Sequence, residues 1–176
     1  MDKKSFKNVI KTFNNNDIHY WVYGGIALDG IREKISREHD DLDIYLHTID
    51  FEKTLEILCA EKYSCFNKGN MYLATKDDIK IDIVLLSEDS SQYVVKGNKT
   101  IARYPRNMFF TKKTASIEEI TFSIVPNEVL VFESSHSIHE QDKEFGSKLL
   151  YNKELFDQIK STSIKTEEKL KQVYYF

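Results

Sequence analysis

The sequence predicts an α/β (α+β) protein, in which a small mixed β-sheet is flanked by helices and followed by a helical C-terminal part. Three observations support this fold class. An amphipathic pattern opens the chain, short apolar runs then follow in the order strand, helix, strand, helix and further strands, and helical patterning returns after Pro126. We therefore divide the chain into a core of residues 1–125 and a helical part of residues 126–176.

The opening helix and the first strand are the clearest local signals. Apolar residues recur every three or four positions from Phe6 to Phe13, which predicts a helix, and the polar run at residues 14–17 ends it. Residues 20–23 form a short apolar run that leads into Gly24 and Gly25. This run predicts a buried strand before a glycine turn.

The rest of the core alternates in the same way. Apolar positions predict two helices, at residues 26–34 and 51–62. Runs of β-forming residues between turn signals predict four more strands, at residues 41–46, 63–66, 71–75 and 79–86.

The second half of the chain has weaker patterns. Residues 87–98 are polar and predict a loop or an edge strand, and residues 103–110 predict irregular structure around Pro105. Residues 117–124 alternate and predict one more strand. Pro126 can open a helix, and helical patterning continues towards Leu170.

Composition excludes several classes of protein. Of 176 residues, 41% are hydrophobic and 30% charged, no apolar run approaches the ~20 residues of a membrane span, and the N-terminus lacks the apolar core of a signal peptide. We therefore expect no membrane association and a cytoplasmic location. A net charge of -3 argues against nucleic acid as a partner. Cys59 and Cys65 have neither metal-knuckle nor redox spacing, so we expect reduced thiols, at least one of them packed.

Asp41 and Asp43 are the most informative residues of the chain. Alternate residues of a strand point to the same face, so the two carboxylates can aim at one divalent cation. Two carboxylates at such a short distance repel each other, and a cation, a shared proton or solvent must relieve that repulsion.

Gly24 and Gly25 form a second candidate feature. Glycines between a strand and a helix let a ligand approach the backbone, and the helix N-terminus behind them offers N–H groups to phosphate oxygens. The alternative is a turn that only needs a positive φ. A phosphate-binding turn one short helix away from a pair of metal-binding carboxylates predicts a nucleoside triphosphate site.

Asp82 supplies a third carboxylate. It interrupts the apolar run of residues 79–86, and an unpaired carboxylate buried in such a strand costs several kcal/mol. Asp82 therefore either lies on an exposed sheet face or belongs to a site. Asp41 and Asp43, on a strand predicted to be its neighbour, favour the site.

These residues together resemble a known family. The pattern comprises Trp21, Gly24, Gly25, Ala27, Asp29, Arg37, His39, Asp41, Asp43 and Asp82. It resembles the nucleotidyltransferase (DNA polymerase β-like) superfamily, and within it the small antibiotic-modifying branch of aminoglycoside 2″-nucleotidyltransferases and lincosamide nucleotidyltransferases. The strongest resemblance covers residues 19–46, and it implies the nucleotidyltransferase fold.

The resemblance also implies an enzyme and its co-substrates. Such an enzyme transfers a nucleoside monophosphate, here AMP from ATP, to a hydroxyl of a small-molecule acceptor and releases pyrophosphate. Asp41 and Asp43 would hold Mg²⁺, and Gly24 and Gly25 would cradle the β- and γ-phosphates. Asp82 would act as the catalytic base, as a second metal ligand, or as both.

Three other residues of the motif keep more than one interpretation. Arg37 either binds phosphate or pairs with Glu38 or Asp40. His39 contacts the nucleotide, orients an aspartate, or makes a structural hydrogen bond. Asp29 matches the motif, but an aspartate inside a helix more often ties down a neighbouring loop.

The acceptor is the open question. An aminoglycoside would favour an acidic cleft, for which Glu133 is one candidate, and a lincosamide would favour aromatic walls. The chain supplies both kinds of residue. The C-terminal part is expected to help form this pocket. His136 and His139 lack a third metal ligand and are expected at the surface. The alternative function is the nucleotidyltransferase of a toxin-antitoxin pair, acting on a protein or RNA partner. We expect a monomer or a homodimer.

Overall fold

The computed structural model describes residues 3–89, 92–96 and 100–165. Its helices are α1 (Lys3–Asn15), α2 (Gly24–Arg32), α3 (Phe51–Ala60), α4 (Asn127–Ser134), α5 (Glu140–Gly146) and α6 (Lys153–Thr162). Its strands are β1 (Tyr20–Val22), β2 (Leu42–His47), β3 (Ser64–Asn67), β4 (Tyr72–Lys76), β5 (Ile79–Asp89), β6 (Gln92–Lys96), β7 (Thr100–Pro105), β8 (Lys113–Ile117), β9 (Ile120–Ile124) and β10 (Ile164–Lys165).

These strands form one mixed sheet, which confirms the predicted fold class. Its main path runs in the order β10, β7, β6, β5, β2, β1, β9 and β8, and β4 joins β5 beside β3. The pairs β2–β5 and β1–β9 are parallel, whereas β1–β2, β5–β6 and the outer pairs are antiparallel. The longest strand, β5, therefore lies beside β2 in the middle of the sheet.

Apolar periodicity positions the first two helices against the sheet. The predicted inward residues of α1, from Phe6 to Phe13, are buried, and Phe6 packs edge to face on Phe122 of β9 at 5.2 Å. Helix α2 is almost wholly buried between the sheet and the C-terminal helices α4 and α5. It starts at Gly24 rather than at residue 26, and it ends at Arg32, before the C-cap residue Glu33, whose φ is +55°.

Three predictions for the second half were wrong. Residues 87–89 and 92–96 form neither a loop nor an edge strand: β5 continues to Asp89, and β6 pairs with both β5 and β7. The other residues of the predicted range 87–98 lie outside the described residues. Residues 103–110 are not irregular, because β7 runs to Pro105 and a 3₁₀ helix follows. Residues 117–124 are not one continuous strand: a turn at Glu118, whose φ is +54°, separates Ile117, the last residue of β8, from β9, and the two strands form a hairpin over residues 113–124.

Between Pro126 and residue 165, where the described residues end, the chain forms three helices and one short strand. Helix α4 is buried at Val129–Phe132, and α6 packs against both α4 and β7. Strand β10 pairs with β7 and so returns this part to the sheet edge. The predicted helix near Leu170 falls outside the described residues.

Two smaller predictions also have answers. Cys59 and Cys65 are both free thiols, and Cys65 packs against the core. No helix in the described ranges is long and apolar enough to span a bilayer.

We predict that Gly30→Ala destabilises the fold through the contact between α2 and the β8–β9 hairpin. A Cβ at Gly30 would lie 2.6 Å from Phe122 Cζ and 2.9 Å from Ala115 Cβ, and Phe122 cannot retreat because it packs on Phe6. Overpacking of this kind costs about 1–3 kcal/mol, more than alanine gains over glycine in a helix. Urea unfolding measures the loss.

The control is Ser161→Ala, at an exposed helical position, which is expected to stay within about 0.5 kcal/mol of wild type. If Gly30→Ala were as stable as wild type, α2 could not lie this close to the hairpin.

Candidate active site

The parallel pairing of β2 with β5 brings the three predicted carboxylates to one place. Asp43, the second residue of β2, lies directly opposite Asp82 of β5, and Asp41 comes just before β2 begins. All three residues are half-buried. Asp82 is therefore beside the other two aspartates and not on a remote exposed face.

Mutual repulsion is the main electrostatic property of this cluster. Burial raises the pKa of Asp43 well above its ordinary value, and the charges of Asp41, Asp82 and Glu133 raise it further. Burial and the charge of Asp41 also raise the pKa of Asp82. A cation would relieve both effects.

Asp41 and Asp43 line a cavity of about 320 Å³ between the sheet and the C-terminal helices. Its other walls come from the start of α2, from Arg37 and Asp40, and from the segment that links α4 to α5. Asp82 stands next to Asp43 but does not line the cavity itself.

Gly24 leaves the space in which the Asp43 carboxylate lies. Its φ is +69°, and a Cβ at this position would lie 2.5 Å from Asp43 Oδ2. Both the backbone conformation and the close approach require glycine. Tyr23, the N-cap of α2, makes no side-chain capping hydrogen bond, so it leaves the N–H groups of the first turn uncapped.

This donor set fits Mg²⁺ if a nucleotide contributes part of the coordination. Within residues 3–89, 92–96 and 100–165, no group of three or more His, Cys, Asp or Glu residues stands ready to hold a metal ion. Mg²⁺ bound with a nucleotide commonly takes only one or two carboxylates plus phosphate oxygens and water. Asp41 and Asp43, beside the start of α2, match that arrangement.

Gly25 has a different role, because Arg37 and His39 pack against it. A Cβ at Gly25 would lie 2.4 Å from Arg37 Nη2 and 2.8 Å from His39 Cε1. The two glycines therefore admit two different neighbours: Gly24 admits a carboxylate, and Gly25 admits the side chains of the loop that leads to β2.

Asp29 holds that loop in place, as predicted for an aspartate inside a helix. Its carboxylate accepts hydrogen bonds from the Ser36 backbone N–H and hydroxyl, contacts His39 Nε2 at 2.8 Å and pairs with Arg32 at 3.0 Å. Burial alone would raise the pKa of Asp29, but the hydrogen bonds from His39 and Ser36 lower it to about 2. His39 thus makes a structural hydrogen bond.

The Arg37 side chain pairs with the side chain of neither Glu38 nor Asp40. Its guanidinium pairs with Asp142 of α5 at 2.9 Å and donates to the Glu38 carbonyl oxygen at 2.9 Å. Arg37 remains on the cavity wall, and its charge opposes the rise in the pKa of Asp43.

The cluster that two buried tyrosines form with Glu133 was not predicted, although Glu133 is an acidic candidate for the acceptor pocket. The hydroxyls of Tyr45 and Tyr104 each donate to Glu133 Oε1 at 2.7 Å, and Tyr23 stacks on Tyr45 at 4.3 Å. Glu133 lines the cavity at the end of α4. In the sequence, Glu133 is a charged residue directly after the apolar run of residues 129–132, much as Asp82 is a charged residue within the apolar run of residues 79–86.

His136 and His139 also line the cavity, and both residues are exposed, as predicted. The His136 ring contacts the Phe132 carbonyl oxygen at 2.9 Å.

A larger cavity, of about 600 Å³, lies on the other side of the loop at residues 35–40. Phe6, Ile26 and the β8–β9 turn form its mostly apolar wall. It shares Arg37 and Asp40 with the smaller cavity but has none of the three clustered aspartates, so we assign the chemistry to the smaller one.

We predict that Asp29 contributes stability that acid removes. Because its pKa is about 2 in the folded protein and ordinarily 3.8, the unfolded chain takes up the proton first as the pH falls. This contribution, about 2 kcal/mol, is complete above about pH 4 and disappears towards pH 2. The stability gap between wild type and Asp29→Asn, measured by denaturant unfolding, should narrow across that window.

The matched control is Asp78→Asn, in an exposed turn, for which no such narrowing is expected. A gap for Asp29→Asn that stays constant from pH 5 to pH 2 would contradict this role of the ionised carboxylate.

Comparisons with known proteins agree with this geometry. Residues 5–149 match the family model described as aminoglycoside-2″-adenylyltransferase. No curated protein matches the chain in sequence.

Solved structures confirm the fold. The lincomycin-bound lincosamide antibiotic adenylyltransferase LnuA superposes with a TM-score of 0.66 at 16% identity, over 85% of this chain and 99% of that one. The solution structure of the antibiotic-resistance factor ANT(2″)-Ia gives a TM-score of 0.69 at 13% identity, over 90% and 88% of the two chains. The crystal structure of ANT(2″)-Ia with adenylyl-2″-tobramycin gives 0.67 at 12% identity, over 91% and 98%.

The family match extends over most of the chain and includes the glycine pair and all three aspartates. The chain therefore belongs to the aminoglycoside-2″-adenylyltransferase family, and it is a nucleotidyltransferase of the antibiotic-modifying branch.

Proposed function

We propose that this enzyme transfers AMP from MgATP to a hydroxyl of a small antibiotic and releases pyrophosphate. The observation that carries the proposal is the in-register pairing of Asp43 with Asp82, next to the start of α2, where the N-cap residue Tyr23 makes no side-chain capping hydrogen bond. The family match favours an antibiotic over the protein or RNA partner of a toxin-antitoxin system. A reaction that consumes ATP also suits a cytoplasmic enzyme.

In this proposal the carboxylates of Asp41 and Asp43 hold Mg²⁺, which neutralises part of the triphosphate charge. Gly24 and Gly25 let the triphosphate approach the backbone, and the N–H groups of the first turn of α2 donate to the β- and γ-phosphate oxygens. Arg37, on the same wall, adds a charged donor for the phosphates.

Asp82 takes the proton of the acceptor hydroxyl. Its pKa is raised by burial and by Asp41, which makes the carboxylate a stronger base than an exposed aspartate. As the proton moves to Asp82, the acceptor oxygen bonds to the α-phosphorus. The bond from that phosphorus to the bridging oxygen breaks, and pyrophosphate leaves with the electron pair.

Glu133 faces the acceptor side of the cavity. The two tyrosine hydroxyls occupy one of its oxygens and hold the carboxylate in a fixed position. A fixed negative charge in an otherwise acidic cavity suits an acceptor that carries a protonated amine. Aminoglycosides and lincosamides both meet this requirement, so the geometry supports a cationic antibiotic without choosing between the two classes.

The direct test incubates the protein with ATP, Mg²⁺ and a panel of aminoglycosides and lincosamides, followed by mass analysis. We expect at least one antibiotic to gain one AMP, with release of pyrophosphate. No adduct on any member, with MgATP binding intact, would exclude these acceptors.

We predict that AMP transfer is lost in each of the variants Asp41→Asn, Asp43→Asn and Asp82→Asn. The first two lose a metal ligand, and Asp82→Asn loses the base, whose absence costs about 10²–10⁴ in rate. Because the pKa of Asp43 is raised in the folded state, its ionisation destabilises the metal-free protein above pH 4. Asp43→Asn should therefore melt higher at pH 7, by about 2–4 °C per kcal/mol.

Asp78→Asn, in an exposed turn, is the control and should keep both the rate and the melting temperature of wild type. Full turnover in the triple aspartate variant would end the enzyme proposal for this cluster.

We predict that Glu133→Gln weakens acceptor binding while MgATP binding stays unchanged. A hydrogen bond to a charged group contributes about 1.5–3 kcal/mol, so KM for the acceptor should rise at least about tenfold. Steady-state kinetics with each substrate varied in turn measures this effect, and Glu119→Gln, at an exposed position, is the control. A rise only in KM for ATP would place Glu133 on the nucleotide side instead.

A further inference from the structure

The ion pair between Arg37 and Asp142 joins two distant parts of the chain. Arg37 lies in the loop before β2, Asp142 lies in α5, and Arg37 Nη2 is 2.9 Å from Asp142 Oδ2. The Asp142 side chain is only 4% exposed and that of Arg37 is 21% exposed. Burying a carboxylate this deeply costs free energy of folding unless its charge is paired, and Arg37 supplies that pair for Asp142.

Close packing between α4 and α5 fixes Asp142 in this place. A Cβ at Gly146 would collide with the Ser134 side chain, 2.7 Å from its Cβ, so only glycine lets α5 lie so close to α4. Asp142 in turn lines the cavity on the side that faces Arg37.

The guanidinium of Arg37 is thereby held between Gly25 and Asp142. On one side, no Cβ would fit at Gly25, because it would lie 2.4 Å from Nη2. On the other side, Asp142 contacts the same nitrogen. This position lies at the second residue of α2, where the proposed phosphates meet the helix N-terminus.

The pair is not a fully satisfied structural bridge. Arg37 Nε and Asp142 Oδ1 are both buried without a hydrogen-bond partner. A bidentate pair would use a second donor and the second oxygen. The observed single contact fixes one end of the guanidinium and leaves the pair short of this bidentate geometry.

Asp43 is the competing partner for Arg37. Arg37 and Asp43 line the same cavity, and they lie against the adjacent glycines Gly25 and Gly24, so the guanidinium is within electrostatic reach of the proposed metal-binding carboxylates. Without Asp142, the unpaired arginine would be drawn towards that cluster, where it would compete with Mg²⁺.

We propose that Asp142 is a positioning residue for nucleotide binding: it holds the Arg37 guanidinium at the phosphate side of the cavity and away from Asp41 and Asp43. This inference rests on the proposed function. It assigns to the C-terminal helix α5 a role in binding the nucleotide, separate from the acceptor role expected for the C-terminal part.

The experiment measures the dissociation constant of MgATP by calorimetry for wild type, Asp142→Asn, Arg37→Gln and the double variant. We expect Asp142→Asn to weaken binding about tenfold or more, the usual cost of losing a residue that orients a binding group. In steady-state assays KM for ATP should rise more than kcat falls. The control Glu144→Gln changes an exposed glutamate of the same helix and should bind MgATP like wild type.

The double variant separates positioning from a merely structural role. If Asp142 acts through Arg37, Arg37→Gln with Asp142→Asn should bind MgATP as weakly as Arg37→Gln alone, because no guanidinium remains to be positioned. This variant also removes both charges, so it avoids an unpaired buried ion if Asp142→Asn alone does not fold.

Each outcome has a distinct meaning. Wild-type affinity in a folded Asp142→Asn variant, or additive losses in the double variant, would overturn the positioning role and leave the proposed function intact. A wild-type protein that binds no MgATP would overturn both.

Discussion

The repulsion between carboxylates on two parallel strands is the constraint around which this site is arranged. Pairing β2 with β5 in register places Asp43 opposite Asp82, and Asp41 lies close enough to raise the pKa of both. The fold accepts an arrangement that is unfavourable for the metal-free protein. The cost is understandable if a cation and a triphosphate complete the site, because positive charge turns the repulsion into binding energy.

The acidic residues around the cavity are of two kinds: one supports the loop before β2, and the other lies in the carboxylate cluster. Asp29 is of the first kind, because hydrogen bonds to its carboxylate lower its pKa to about 2 and fix the loop that carries Arg37 and His39. Asp43 is of the second kind, and burial among other carboxylates raises its pKa. Such opposed environments for acidic groups within one site are typical of catalytic centres. The C-terminal helices complete the cavity with Glu133 and Asp142.

The sequence predicted the local features well because they depend on short-range patterns. Periodic apolar residues located α1 and the core strands. Asp41 and Asp43 stood out by their alternate spacing in a strand, and Asp82 as a charge within an apolar run. The hairpin at residues 113–124 was missed because its turn at Glu118 contains neither glycine nor proline. The pairs Arg37–Asp142 and Tyr45–Glu133 were missed because their members are 105 and 88 residues apart, and only tertiary packing brings them together.

The most direct test of this account is a crystal structure of the protein with Mg²⁺ and a non-hydrolysable ATP analogue. The account predicts Mg²⁺ at about 2.0–2.1 Å from carboxylate oxygens of Asp41 and Asp43. It also predicts phosphate oxygens against the first turn of α2, with Asp82 facing the α-phosphorus. A nucleotide bound elsewhere, or a cation that contacts neither Asp41 nor Asp43, would contradict it.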